Sequence, residues 1–83
     1  QERGALNGAT RSISRIPVTS SALRSVGFDA GSSTLEIEFV SGAVYQYFDV
    51  PRSVYLEFLA APSKGRFFNA DIRDAGYRFL RVE

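Results

Sequence analysis

Apolar and polar residues alternate most regularly between Thr34 and Phe48, in the run TLEIEFVSGAVYQYF. Leu35, Ile37 and Phe39 take every second place with Glu36 and Glu38 between them, the period of a half-buried β-strand. Ser41-Gly42 reads as a two-residue hairpin turn, because Gly supplies the positive φ such a turn needs. That turn sets an expected register, with Phe39 opposite Val44, Glu38 opposite Tyr45, Ile37 opposite Gln46, Glu36 opposite Tyr47 and Leu35 opposite Phe48. One face is then apolar and forms the core. Tyr45 and Tyr47 share the other face with the two carboxylates, which an open strand would leave solvated. Gln46 would point towards the core, where its amide needs a partner, expected in the backbone near the following helix.

The flanking pattern predicts the remaining elements. Residues 1–16 have no sustained period and read as a flexible basic arm, with local docking through Ile13 and Ile16 left open. Pro17 marks entry into a domain spanning 17–83. Leu23–Asp29 is a predicted strand with Val26 and Phe28 on one face, followed by a turn at Ala30–Ser33. Asp49-Val50-Pro51 opens a helix: Pro suits a first turn that lacks N–H partners, and Asp49 is placed to cap it or to complement its dipole. Val54, Phe58 and Ala61, with Tyr55 and Leu59, form a stripe that would cover the apolar face of the hairpin. Pro62 stops this helix. Ser63 caps a second, shorter one carrying Phe67, Phe68 and Ile72, and Asp74-Ala75-Gly76 ends it. Tyr77–Val82 is a closing strand. The expected fold is α+β, a small sheet of about four strands in the order β-β-β-α-α-β with two helices packed on one face. Phe39, Val44, Phe48, Phe58 and Phe67 are expected to be buried together.

Composition narrows the chemistry. The chain has 83 residues, with seven Phe, four Tyr and no Trp or Met to build a core, enough for one small domain. It has no Cys, which excludes disulfides, zinc ribbons and thiol catalysis, and no His, which removes the commonest general base and metal ligand. The acids are scattered and lack calcium-loop spacing. No catalytic residue, cofactor or metal is therefore expected, and the chain is read as no enzyme. No apolar run approaches transmembrane length and no signal peptide is visible, so no membrane partner and a cytoplasmic location are expected. Net charge is +1, but its distribution is uneven. Arg3, Arg11, Arg15 and Arg24 oppose Glu2 in the first part, and Lys64, Arg66, Arg73, Arg78 and Arg81 oppose Asp71 and Asp74 in the last. Arginine dominates, which favours bidentate contacts to phosphate or carboxylate.

The motifs together resemble a known family. Ser20-Ser21, Gly27-Phe28-Asp29, Leu35-Glu36-Ile37-Glu38-Phe39, Ser41-Gly42, Val44-Tyr45-Gln46-Tyr47, Val50-Pro51, Val54-Tyr55, Ser63-Lys64-Gly65, Phe67-Phe68-Asn69, Ile72-Arg73 and Arg81-Val82 occur in the order found in the KTSC domain. The resemblance covers about residues 17–82. It departs at Phe28, where Tyr is common, at Pro62, and at Leu80. That family is named for a carboxy-terminal extension of some lysyl-tRNA synthetases, and also occurs in small bacterial proteins and phage-like contexts. What the resemblance implies is RNA binding, tRNA or single-stranded, by association with the synthetase.

The residues themselves offer two candidate sites. Tyr45 and Tyr47 would form a platform for stacking unpaired bases. The alternative is that an arginine or the closing strand packs over them, with Arg78 or an arm arginine neutralising the glutamates. Ser63-Lys64-Gly65-Arg66 begins a helix, where free N–H groups, the dipole and two cations would favour an anion. The alternative there is a capped helix start with solvated cations. Asn69 and Arg73 would extend the anion site along one helix face, unless Arg73 pairs with Asp71, Asp74 or Glu57. The expected function is a non-catalytic module binding RNA or another polyanion through Tyr45, Tyr47, Ser63, Lys64, Gly65, Arg66, Asn69, Arg73 and Arg78. A protein-interaction or adaptor module, using the tyrosine face or a sheet edge, is the alternative.

Overall fold

Four antiparallel pairings build one five-stranded sheet in simple chain order. The computed structural model describes residues 13–83, and most of the expected arm lies outside the described residues. The strands are β1 (Ile16–Pro17), β2 (Leu23–Asp29), β3 (Thr34–Phe39), β4 (Val44–Tyr47) and β5 (Phe79–Arg81). Helices α1 (Arg52–Ala60) and α2 (Lys64–Phe67) lie between β4 and β5, and α2 runs on into a π-helical turn over Phe68–Arg73. The α+β order is the expected one, with the short β1 as the additional strand.

The hairpin register differs from the expected one by a single residue. Leu35 faces Tyr47, Glu36 faces Gln46, Ile37 faces Tyr45 and Glu38 faces Val44. The loop has three residues. Gly42 N–H donates to the Phe39 carbonyl at 2.9 Å, and Phe39 N–H donates to the Ala43 carbonyl at 2.9 Å. Gly42 has φ +97°, so the turn closes with a glycine in the left-handed region, the bulged three-residue hairpin. Because strand side chains alternate, one residue of slip moves a whole strand's side chains to the other face. Tyr45 and Tyr47 therefore join Leu35, Ile37 and Phe39 beneath the helices, while Val44, Gln46 and Phe48 go to the back.

The core follows from this register. Leu23, Val26, Leu35, Ile37, Tyr47, Val50, Phe58, Phe68 and Ile72 form one buried cluster, with Phe39, Tyr45, Val54, Tyr55, Leu59 and Phe67 packed against it. An irregularity between Leu23 and Ser25 lets Leu23, three places before Val26, join the same cluster. Phe58 is fully buried and stacks on Phe67 at 5.3 Å, which anchors α1 to α2. Val44 is buried but outside this cluster, and Phe48 is half-buried on the back face, so the two do not share the core with Phe58.

The helix ends follow local chemistry. Pro51 occupies the N-cap of α1 without a side-chain cap bond. Asp49, at φ +59°, does not cap; its carboxylate accepts from Arg78 at 3.3 Å. Ser63 caps α2 as expected, accepting from the Arg66 backbone N–H at 3.3 Å.

The back face is polar and covered. Arg15, just before β1, ion-pairs with Glu36 at 2.5 Å, and Gln46 Nε2 donates to the other Glu36 oxygen at 2.8 Å. Glu36 is 2% exposed, so the expected solvated glutamate is a buried one, and the Gln46 partner is a side chain rather than backbone. Gly27 permits this cover: a Cβ there would run into the Ser14 carbonyl oxygen. Glu38 accepts from Ser25 Oγ at 2.8 Å and lies 3.8 Å from Arg24.

Candidate functional site

An open groove of about 800 Å³ lies on the helix side of the sheet, over the outer ends of β3, β4 and β5. Aromatic rings make its floor and one wall. Tyr45 and Tyr47, two apart on β4, have centroids 6.3 Å apart, and Phe79 of β5 lies 5.9 Å from Tyr45 and 5.7 Å from Tyr47. Phe68 meets Tyr47 edge-on at 5.8 Å and Phe39 at 5.2 Å. Edge-on and offset contacts of this kind suit the ring quadrupoles and fix each ring against the next. Tyr47 is thereby buried at 5% exposure, whereas Phe79 is 61% exposed and Tyr45 half-buried. The ring surface open to a ligand belongs to Phe79 and Tyr45.

Two arginines complete the rim. Arg81 lies two residues after Phe79 and pairs in register with Tyr45, so it shares their face. Arg73 comes from the π-turn. In an α-helix, residues five apart sit about 140° apart around the axis, so Phe68 and Arg73 would diverge. Winding with i→i+5 bonds, such as Asp74 N–H to the Asn69 carbonyl, brings both onto the groove. Each guanidinium is held by its Nε alone, Arg73 on Asp74 at 3.1 Å and Arg81 on the Glu83 carbonyl at 2.9 Å. Their terminal nitrogens keep their donors without a partner among the described residues.

Of the residues expected to act together, the groove unites Tyr45, Tyr47 and Arg73. The helix start is used internally: the Lys64 ammonium donates to the Ala61 carbonyl at 2.7 Å, closing the end of α1, and Ser63 takes the Arg66 N–H. The Ser63 cap is present, and the Lys64 ammonium is bonded to a carbonyl rather than solvated. Gly65 has open space where a Cβ would go, and neither it, Arg66 nor Asn69 lines the groove. Arg78 precedes Phe79 and faces the other way, over the Phe48 ring at 5.4 Å and beside Asp49. Phe79 and Arg81 were the residues missed. Their signal was the alternation Tyr77, Phe79, Arg81 in the closing strand.

The groove's charge is set by the hairpin register. Glu36 and Glu38 sit on the back face, held by Arg15 and by Ser25, so no glutamate stands beside the tyrosines. Burial pushes the Tyr47 phenol up to about 12, the neighbouring Tyr45 adds to the rise, and Arg73 opposes it. Among the described residues, no group of three or more Asp and Glu is arranged to hold a metal ion. No helix among them is long and apolar enough to cross a membrane.

Comparison with known proteins decides the family. The model of the KTSC domain matches residues 19–77. The chain belongs to the KTSC domain family. A crystal structure of a KTSC domain protein from Yersinia pestis superposes with a TM-score of 0.82 at 36% identity, over 87% of this chain and 100% of that one. A protein of Stutzerimonas stutzeri is 42% identical over 71 residues, covering 86% of this KTSC chain and 100% of its own length. A lysine–tRNA ligase of Nostoc punctiforme is 45% identical over 53 residues, which are 64% of this chain and 9% of the ligase.

Proposed function

We propose that this KTSC domain is a non-catalytic binding module for single-stranded RNA or a similar polyanion, with the aromatic groove as its site. The observation that carries this reading is the pairing of exposed ring surface, Phe79 and Tyr45, with two arginines whose terminal donors face no described partner. Stacking accepts any base, and arginine donors suit phosphate oxygens. The glutamates that would repel a phosphate backbone lie behind the sheet. Similarity to a segment of lysine–tRNA ligases makes tRNA one RNA to test, in the cytoplasm.

A titration of labelled single-stranded oligonucleotides at several salt concentrations tests the reading. Arg73→Gln and Arg81→Gln should each lower the log–log salt slope by about 0.7, one phosphate contact on a single strand. Phe79→Ala should weaken binding with little change of slope. Absence of RNA and DNA binding at low salt by a folded domain defeats the reading. The adaptor reading then leads, because β5 is an edge strand with exposed Phe79 and Leu80, open to strand addition.

A further inference from the structure

The groove carries polar groups among its rings. Tyr47 lines it at 5% exposure, and its hydroxyl has no hydrogen-bond partner among the described residues. A buried hydroxyl left unpaired is unfavourable, and native structures rarely keep one without a reason. A phenol is protonated, hence a donor, throughout the neutral range. Arg73 lines the same groove as Tyr47. Asp74 takes only the Arg73 Nε, so the terminal nitrogens are still open.

We propose that Tyr47 and Arg73 form an anion seat at the inner end of the groove, and that this seat takes the phosphate of an unpaired nucleotide whose base lies on Phe79 and Tyr45. The inference deepens the polyanion-binding reading and rests on it. Free phosphate would leave the exposed Phe79 ring in water, and a purely apolar ligand would leave the Tyr47 hydroxyl without a partner. A flat group carrying an anion satisfies both ends. A neutral O–H donor beside a guanidinium matches the several acceptor oxygens of a phosphate. Arg81, on the same face as Phe79 but on the edge strand, is placed for the next phosphate along the strand. A base in a duplex cannot lie on a protein ring, so the ligand is unpaired.

Amide chemical-shift titrations of the whole chain test this, with adenosine 5′-monophosphate, adenosine and inorganic phosphate as probes. The monophosphate should bind about tenfold more tightly than adenosine or phosphate, the scale of charge-assisted hydrogen bonds. Tyr47→Phe and Arg73→Gln should each abolish most of that preference, while Phe79→Ala weakens adenosine and the monophosphate alike. Arg66→Gln, outside the groove, should change neither. Equal affinity for adenosine and its monophosphate overturns the seat. So does a folded Tyr47→Phe variant that keeps the full preference, and if that variant does not fold, the exposed Arg73→Gln decides. Tighter binding of N-acetylphenylalanine than of the monophosphate overturns it in favour of a peptide carboxylate. The two readings fail separately. Oligonucleotides that do not bind beside a monophosphate that does would sink RNA binding and leave the seat. Oligonucleotides that bind Tyr47→Phe as well as the native chain would leave RNA binding and sink the seat.

Discussion

The two faces of this sheet are held by different physics. The helix side buries Leu35, Ile37, Tyr47, Phe58 and Ile72 with rings meeting edge-on and stacked, an arrangement stabilised by apolar area and tolerant of small displacements. The back buries a carboxylate. Glu36 is as enclosed as the core residues, and its two oxygens are satisfied by Arg15 and by Gln46. Such a group is tolerated only while its partners stay in place. The helix side therefore draws on many contacts, whereas the back depends on one residue, Arg15, which precedes the matched family region at residues 19–77. A segment outside the family's signature completes the fold.

Perturbing each face in turn should separate the two mechanisms. Phe58→Ala removes a fully buried ring from the helix side and should cost on the order of 3–5 kcal/mol, measured by urea unfolding, enough to unfold much of so small a domain. A cost under about 1 kcal/mol would mean that the helices do not seal that face. Arg15→Ala strands the Glu36 carboxylate and should cost about 3 kcal/mol, the low end for breaking a buried pair, because Arg15 itself is 25% exposed. Adding Glu36→Gln removes the stranded charge, so the double variant should be more stable than Arg15→Ala alone. If it is not, the back face is held by packing rather than by pairing.

Smaller effects sharpen what keeps the faces distinct. Gly42→Ala forces a side chain into a left-handed turn and should lower stability by about 1–2 kcal/mol. An unchanged midpoint would show that cross-strand pairing alone fixes the register. The smallest effect is alkaline. The Tyr47 phenol is raised from 10.0 to about 12 in the folded chain, so the folded state holds its proton more tightly than the unfolded one. The resulting stability is fully present below pH 10 and is lost as the pH climbs from 10 towards 12. Tyr47→Phe should flatten that decline relative to the native chain, in thermal midpoints taken across the window. Tyr55, also raised by burial, should leave a residual slope in the variant.

The extent to which the sequence revealed this depended on range. Strand β2, the hairpin strands, the helix begun after Pro51 and the Ser63 cap are local, because period, proline and capping chemistry act within a few residues. The groove was half legible. Tyr45 and Tyr47 stood out as a pair, but Phe79 and Arg81 join them only through the pairing of β4 with β5, some 30 places along the chain. At Lys64 and Arg66 the sequence shows charge and helix position; that the Lys64 ammonium closes on Ala61 three residues back is visible only in the fold.

By itself the sequence determined the order of elements, the apolar inventory and the absence of imidazole and thiol chemistry. Tertiary structure decided which side of β4 joined the core. Period two fixes alternation but is blind to its phase relative to the neighbouring strand, and here both phases put an aromatic residue inside. One extra loop residue, closed by Gly42, chose between them. That choice brought Tyr45 and Tyr47 under the helices, put Gln46 rather than Tyr47 beside Glu36, and left no glutamate beside the groove's tyrosines.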